Sequence, residues 1–131
     1  MIKETAPCCC GSGQSFAVCC QKFIEGKSFP QTAEQLMRSR YSAYVVQDIH
    51  YLKTTWHRST CPDPLKLDAN LRWIGLEIKN TKAGGEADQT GSVKFVARYK
   101  INGRAYRLEE ESNFVRQGPQ WLYVDGSSDT T

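Results

Sequence analysis

The chain contains no run of 18 or more uncharged apolar residues, and Met1 to Pro7 hold no apolar core of leader-peptide length. A membrane-spanning helix and a secretory signal are therefore not expected, and the sequence reads as that of a cytoplasmic protein. Runs of like charge are also missing: 17 basic and 14 acidic residues are scattered along 131 positions for a formal charge of +3, which is too diffuse to mark a nucleic-acid surface. There is no internal repeat, no low-complexity tract, and no phosphate-binding loop, dinucleotide fingerprint or nucleophile elbow. Gly11-Ser12-Gly13 is too short and too crowded by thiols to act as a phosphate loop. Histidine is scarce, and His50 falls about one turn into a short helix, out of place to act beside His57 as a metal pair.

Cysteine is abundant. Five of six lie between positions 8 and 20, and thiols kept reduced in a cytosol point to metal or redox chemistry before structural disulfides. The spacing Cys8-x-Cys10-x8-Cys19-Cys20 presents two close pairs joined by a glycine-rich turn, which suits the four tetrahedral thiolates that zinc takes at about 2.3 Å. Phe16 is positioned to shield such a site from water. Cys9 becomes a fifth, non-essential thiol, open to ligand exchange or to oxidation if metal is lost. Free or disulfide-prone thiols and an iron–sulfur cluster are the other readings of the same residues. Four thiolates with one zinc would lower the formal charge from +3 to about +1, so basicity is no guide to function.

Downstream, Thr32-Ala33-Glu34-Gln35 is a capping box that opens a helix, with Leu36, Met37, Tyr41, Tyr44 and Val45 as its apolar stripe and Arg38 off it. Asp48 caps a second, short helix reaching about Thr54, and Leu65 to Asn70 is expected to add a helical turn. From Trp73 the pattern changes to strands: Trp73 to Lys79, Val93 to Ile101 and Arg104 to Arg116, with Asn102-Gly103 as a hairpin turn. Gln117-Gly118-Pro119 turns the chain again into Gln120 to Asp125. Helices first and an antiparallel meander afterwards predict an α+β layer, helices on one face of a curved sheet. The composition suits one compact domain with an accessory motif, divided near Gly26 into residues 1–26 and 27–131.

Cys8 to Cys20, reading CCCGSGQSFAVCC, resembles the SEC-C motif, a short zinc-binding element. The run LMRSRYSAYVVQDIHYLKTTWH within residues 32 to 57, and the later FVRQGPQWLYVDG, resemble the YchJ-like family of bacterial proteins, so the likeness covers nearly the whole chain. The resemblance implies a cone-shaped α+β domain similar to nuclear transport factor 2, with the zinc motif attached in front and Cys8, Cys10, Cys19 and Cys20 at its ligand positions. Two departures stand out: Cys9 where the motif commonly has proline, and Gln21 where it commonly has glycine. Many members carry a second such motif at the C-terminal end; residues 21–131 hold no second cysteine cluster.

Cone folds of this type enclose a pocket between helices and sheet, and they serve enzymes and plain binders alike, so residues must decide. Alternation along the third strand puts Leu108, Glu110, Ser112 and Phe114 on one face and Glu109, Glu111 and Asn113 on the other. An inward Glu110 needs a partner: either His57, as an acid–base pair, or Arg38 or Arg40, as an ion pair fixing helix to sheet, the commoner arrangement. Arg38, Arg40, Trp56, His57 and Glu110 are thus the pocket candidates. Cys61 lacks any sequence sign of activation. Two functions are expected from this reading: a non-enzymatic zinc protein that presents its motif to a protein partner, or a small-molecule binder or enzyme using the cone pocket. Contact with nucleic acid through the motif is a third and weaker reading. A homodimer through the open sheet face is expected by analogy with the fold.

Overall fold

The structure is a computed structural model that describes residues 3–130. A single helical turn at Phe16–Val18 leads into α1 (Cys20–Ile24), followed by α2 (Ala33–Val46) and α3 (Ile49–Thr54). Four strands then run β1 (Leu71–Ala83), β2 (Thr90–Ile101), β3 (Arg104–Gln117) and β4 (Gln120–Thr130). Their spatial order is β1-β2-β3-β4, every neighbour antiparallel, the meander that the alternation predicts. Asn102 and Gly103 both take positive φ, 51° and 81°, which matches the twist of the strands they join. Register shifts at Trp73/Gly75 and Ile78/Asn80 in β1, and at Asn113/Phe114 in β3, bend the sheet around the helices.

Both helix starts are set by their caps. Thr32 Oγ1 accepts from the Gln35 amide at 3.1 Å, and Asp48 Oδ1 accepts from that of Tyr51 at 3.0 Å. Gln35 reaches back one residue further than a capping box requires, its Oε1 accepting from the Gln31 amide. Helix α2 ends where Gln47 turns left-handed, with φ 60°. Leu65 to Asn70 does not form the helical turn its composition suggests. Leu65 and Leu67, two apart, pack on Phe23, Ala43, Tyr51 and Leu52, so the segment is held extended by its contacts.

Helix α2 crosses the sheet and is buried more widely than its apolar stripe implies, with Ser39, Arg40 and Ser42 all shielded. Its Leu36, Met37 and Tyr41 meet Val93, Phe95, Phe114 and Trp121 from the sheet, and Cys8, Cys10, Phe16, Cys19 and Cys20 join the same apolar cluster. The segment after α3 closes one end: Trp56 bridges to Tyr123, whose amide donates to Thr55 and whose carbonyl accepts from the His57 amide at 2.7 Å. No helix among the described residues is long and apolar enough to cross a membrane.

Candidate metal centre and the adjoining cavity

The cysteine motif is held by backbone hydrogen bonds before any metal is considered. The Cys8 amide donates to the Gln14 carbonyl at 2.8 Å, the Phe16 amide to Ala6, and the Gly11 amide back to Cys8. Gly11 takes φ +80°, the left-handed turn that lets the first pair of cysteines face the second. The Arg38 guanidinium, on α2, donates from Nη1 to the Cys10 carbonyl at 2.6 Å and from Nε to Glu34, and so ties the motif to the helix.

The Sγ atoms of Cys8, Cys10, Cys19 and Cys20 all lie within 4.8 Å of one another, and all four residues are buried. Cys10 and Cys19 sulfurs are 3.6 Å apart, and those of Cys19 and Cys20 are 3.9 Å apart. A tetrahedron of thiolates about 2.3 Å from one ion has edges of about 3.8 Å, so the donor set fits a single tetrahedral metal. A cluster of several irons and sulfides does not fit between sulfurs this close. Cys9 lies outside the set, its Sγ 3.2 Å from Ser42 Oγ. Two hydroxyls reach ligand sulfurs: Ser12 Oγ lies 3.1 Å from Cys19 Sγ, and Ser42 Oγ lies 3.6 Å from Cys8 Sγ.

Electrostatics point the same way. Hydrogen bonds from the thiols of Cys10, Cys20 and Cys9 hold the Cys8 thiol far below its ordinary value. The same contacts with Cys10 and Cys8, together with burial, push Cys20 far up, and burial first of all raises Cys19 to about 11. Left to themselves, four thiols this close cannot all ionise. A divalent cation among them removes that restriction and would hold all four as thiolates.

The remaining candidates divide. Arg40, Trp56 and Glu110 line one cavity of about 240 Å³ between α2 and the concave sheet face, together with Tyr44, Trp73 and Tyr123. Arg38 is instead beside the cysteine motif, and His57 is not in the cavity wall: its Nδ1 is engaged with Ser59 Oγ at 2.7 Å. The expected partners of Glu110 are therefore both corrected. Glu110 has no acid–base pairing with His57 and no ion pair with Arg38 or Arg40; it accepts from Ser112 Oγ at 2.5 Å. Arg40 spends its Nη1 on the end of α3 instead, donating to the Leu52 carbonyl at 2.9 Å and to Thr55 Oγ1 at 2.7 Å. Reading the sequence missed Ser42 and Tyr44. Both sit on α2 among residues that helical spacing assigns to packing, and only the position of neighbouring elements shows what they face.

A curved antiparallel sheet carrying helices, with a buried four-cysteine cluster in front that could hold a metal, defines an α+β protein of the cone class. Residues 32–126 match the family described as "YchJ, middle NTF2-like domain". The chain belongs to this YchJ-like family. Among its relatives, a UPF0225 protein of Cupriavidus metallidurans is 49% identical over 128 residues, covering 92% of this chain and 88% of that one. One from Ralstonia nicotianae is 52% identical over 135 residues, covering 93% and 91%. Two solved structures are similar throughout: a SEC-C motif containing protein from Rhodopseudomonas palustris (TM-score 0.81, 27% identity, 92% of this chain and 96% of that one), and one from Psychrobacter arcticus (TM-score 0.71, 26% identity, 93% and 81%).

Proposed function

We propose that this is a zinc protein without catalytic activity of its own, in which Cys8, Cys10, Cys19 and Cys20 hold one zinc ion and the folded motif docks a protein partner in the cytoplasm. The observation that carries the reading is the set of four buried sulfurs within 4.8 Å of one another. Such a set fills the tetrahedral coordination of zinc and leaves no open position for a substrate, which is the signature of a structural site. Val18, next to the second cysteine pair, is 58% exposed and gives the motif an apolar contact point for a partner.

Elemental analysis of protein purified without chelator tests the metal. About one zinc per chain is expected, with loss of most of it in Cys19→Ser. Freshly reduced protein that carries no metal would overturn the zinc site. For the partner, a pull-down whose captured protein is unaffected by changing Cys19 and Cys20 to serine would remove docking through the motif.

A further inference from the structure

Two opposite charges share the cavity under α2 without pairing. Arg40 is 4% exposed, and among the described residues no carboxylate lies within 4.0 Å of it. Its guanidinium lies 4.9 Å from the Trp56 ring and 4.7 Å from the Tyr123 ring, and these two rings are 5.0 Å apart edge to face. Backbone and hydroxyl oxygens satisfy Nη1, yet a buried cation is ordinarily balanced by an anion. Trp56, whose Nε1 is buried without a hydrogen-bond partner, also lines the cavity. On the sheet side, Glu110 accepts from Ser112 and, among the described residues, has no Lys, Arg or His nitrogen within 4.0 Å. Burial first of all raises the Tyr44 and Tyr123 hydroxyls above their ordinary value, with Arg40 opposing that shift and Glu110 adding to it.

The walls between these groups are aromatic or apolar: Tyr44, Trp73, Phe95 and Leu108. An apolar cavity of about 150 Å³ takes up benzene, so one of about 240 Å³ has room for a molecule of roughly ten heavy atoms. A simple anion would meet Glu110, and a simple cation would meet Arg40. A molecule carrying both charges on an apolar body satisfies both. We propose that the cavity binds a small amino-carboxylic zwitterion with an apolar or aromatic body, its carboxylate toward Arg40, its ammonium toward Glu110 and the neighbouring ring faces.

Calorimetric titration of the full chain as purified, with four probes, tests this. L-phenylalanine and 4-(aminomethyl)benzoate are zwitterions of short and long charge separation; 3-phenylpropanoate and 2-phenylethylamine each lack one charge. At least one zwitterion should bind about tenfold or more tightly than both single-charge probes, because each removed charge leaves buried Arg40 or half-buried Glu110 uncompensated. Glu110→Gln should abolish the preference over 3-phenylpropanoate without weakening 3-phenylpropanoate itself. The indole N–H resonance of Trp56, one of three in the protein, should move on zwitterion binding, a readout that needs no substitution at the charged groups. No binding by either zwitterion, equal binding of 3-phenylpropanoate, or a Glu110→Gln variant that keeps the full preference would each overturn the assignment.

Discussion

Cys9 and Cys10 are neighbours with the same side chain and different surroundings. Cys10 is fully buried with its sulfur inside the four-thiol set, whereas Cys9 is half-buried and turned to Ser42. The Cys9 sulfur lies outside the four-sulfur set and 3.2 Å from Ser42 Oγ, so it is not placed to share a metal with the other four. Cys9→Ala should therefore retain about one metal ion per chain and Cys10→Ala should lose most of it, as read by elemental analysis of the two purified variants. Equal loss in both would show that Cys9 is a ligand. The same contrast between identity and surroundings applies to Arg38 and Arg40. Two residues apart on α2, one is held at the cysteine motif by Glu34 and the Cys10 carbonyl, the other under Trp56 and Tyr123.

At the scale of elements, the join between α2 and the β1–β2 hairpin is built on close backbone approach. The Ala33 amide donates to the Gly84 carbonyl at 2.9 Å, and the Gly84 amide to Thr90 at 3.0 Å, so the helix start is docked on the turn. Gly84 has φ +78°, and a Cβ there would come within 2.8 Å of the Ala33 Cβ. Gly84→Ala thus combines left-handed strain with overpacking and should cost about 2 kcal/mol or more. The urea midpoint should fall with an unchanged slope. A midpoint within error of the parent would show that helix and hairpin separate without cost. Element types were readable from patterning: the caps Thr32 and Asp48, the Asn102-Gly103 turn and the strand alternation all act locally. Leu65 to Asn70 was misread because two leucines two apart suit an extended segment only when another surface receives them, here the cluster around Tyr51 and Leu52.

Across the whole molecule, the buried tyrosines give an alkaline limit to stability. Burial raises Tyr51 and Tyr123 to about 12, with Ser39 Oγ 2.7 Å from the Tyr51 hydroxyl. Their folded values exceed the unfolded value of about 10, so above pH 10 the unfolded chain loses these protons first and stability falls as pH rises. The contribution of Tyr51 is complete below pH 10 and is lost progressively up to about pH 12, by at most about 1.4 kcal/mol per pH unit. Denaturant midpoints measured from pH 8 to 11.5 should be level and then decline above pH 10, less steeply in Tyr51→Phe. An unchanged slope in that variant would remove Tyr51 as a contributor.

What the sequence determined alone is whatever depends on short spacing: the paired cysteines around a glycine turn, the capped helices, the hairpin, and the inward face of β3 that carries Glu110 and Ser112 into the concave side. These follow from backbone geometry within a few residues, where period and turn chemistry leave little choice. The tertiary structure decided the partners. Glu110 does not meet Arg38, Arg40 or His57, because α3 offers Arg40 a carbonyl and a hydroxyl, the cysteine motif engages Arg38, and the turn after Trp56 leaves the His57 ring bonded to Ser59. Which side chains meet across the fold depends on how α2, α3 and β4 pack, and charge pairing is settled by distances of a few ångströms that no local pattern encodes.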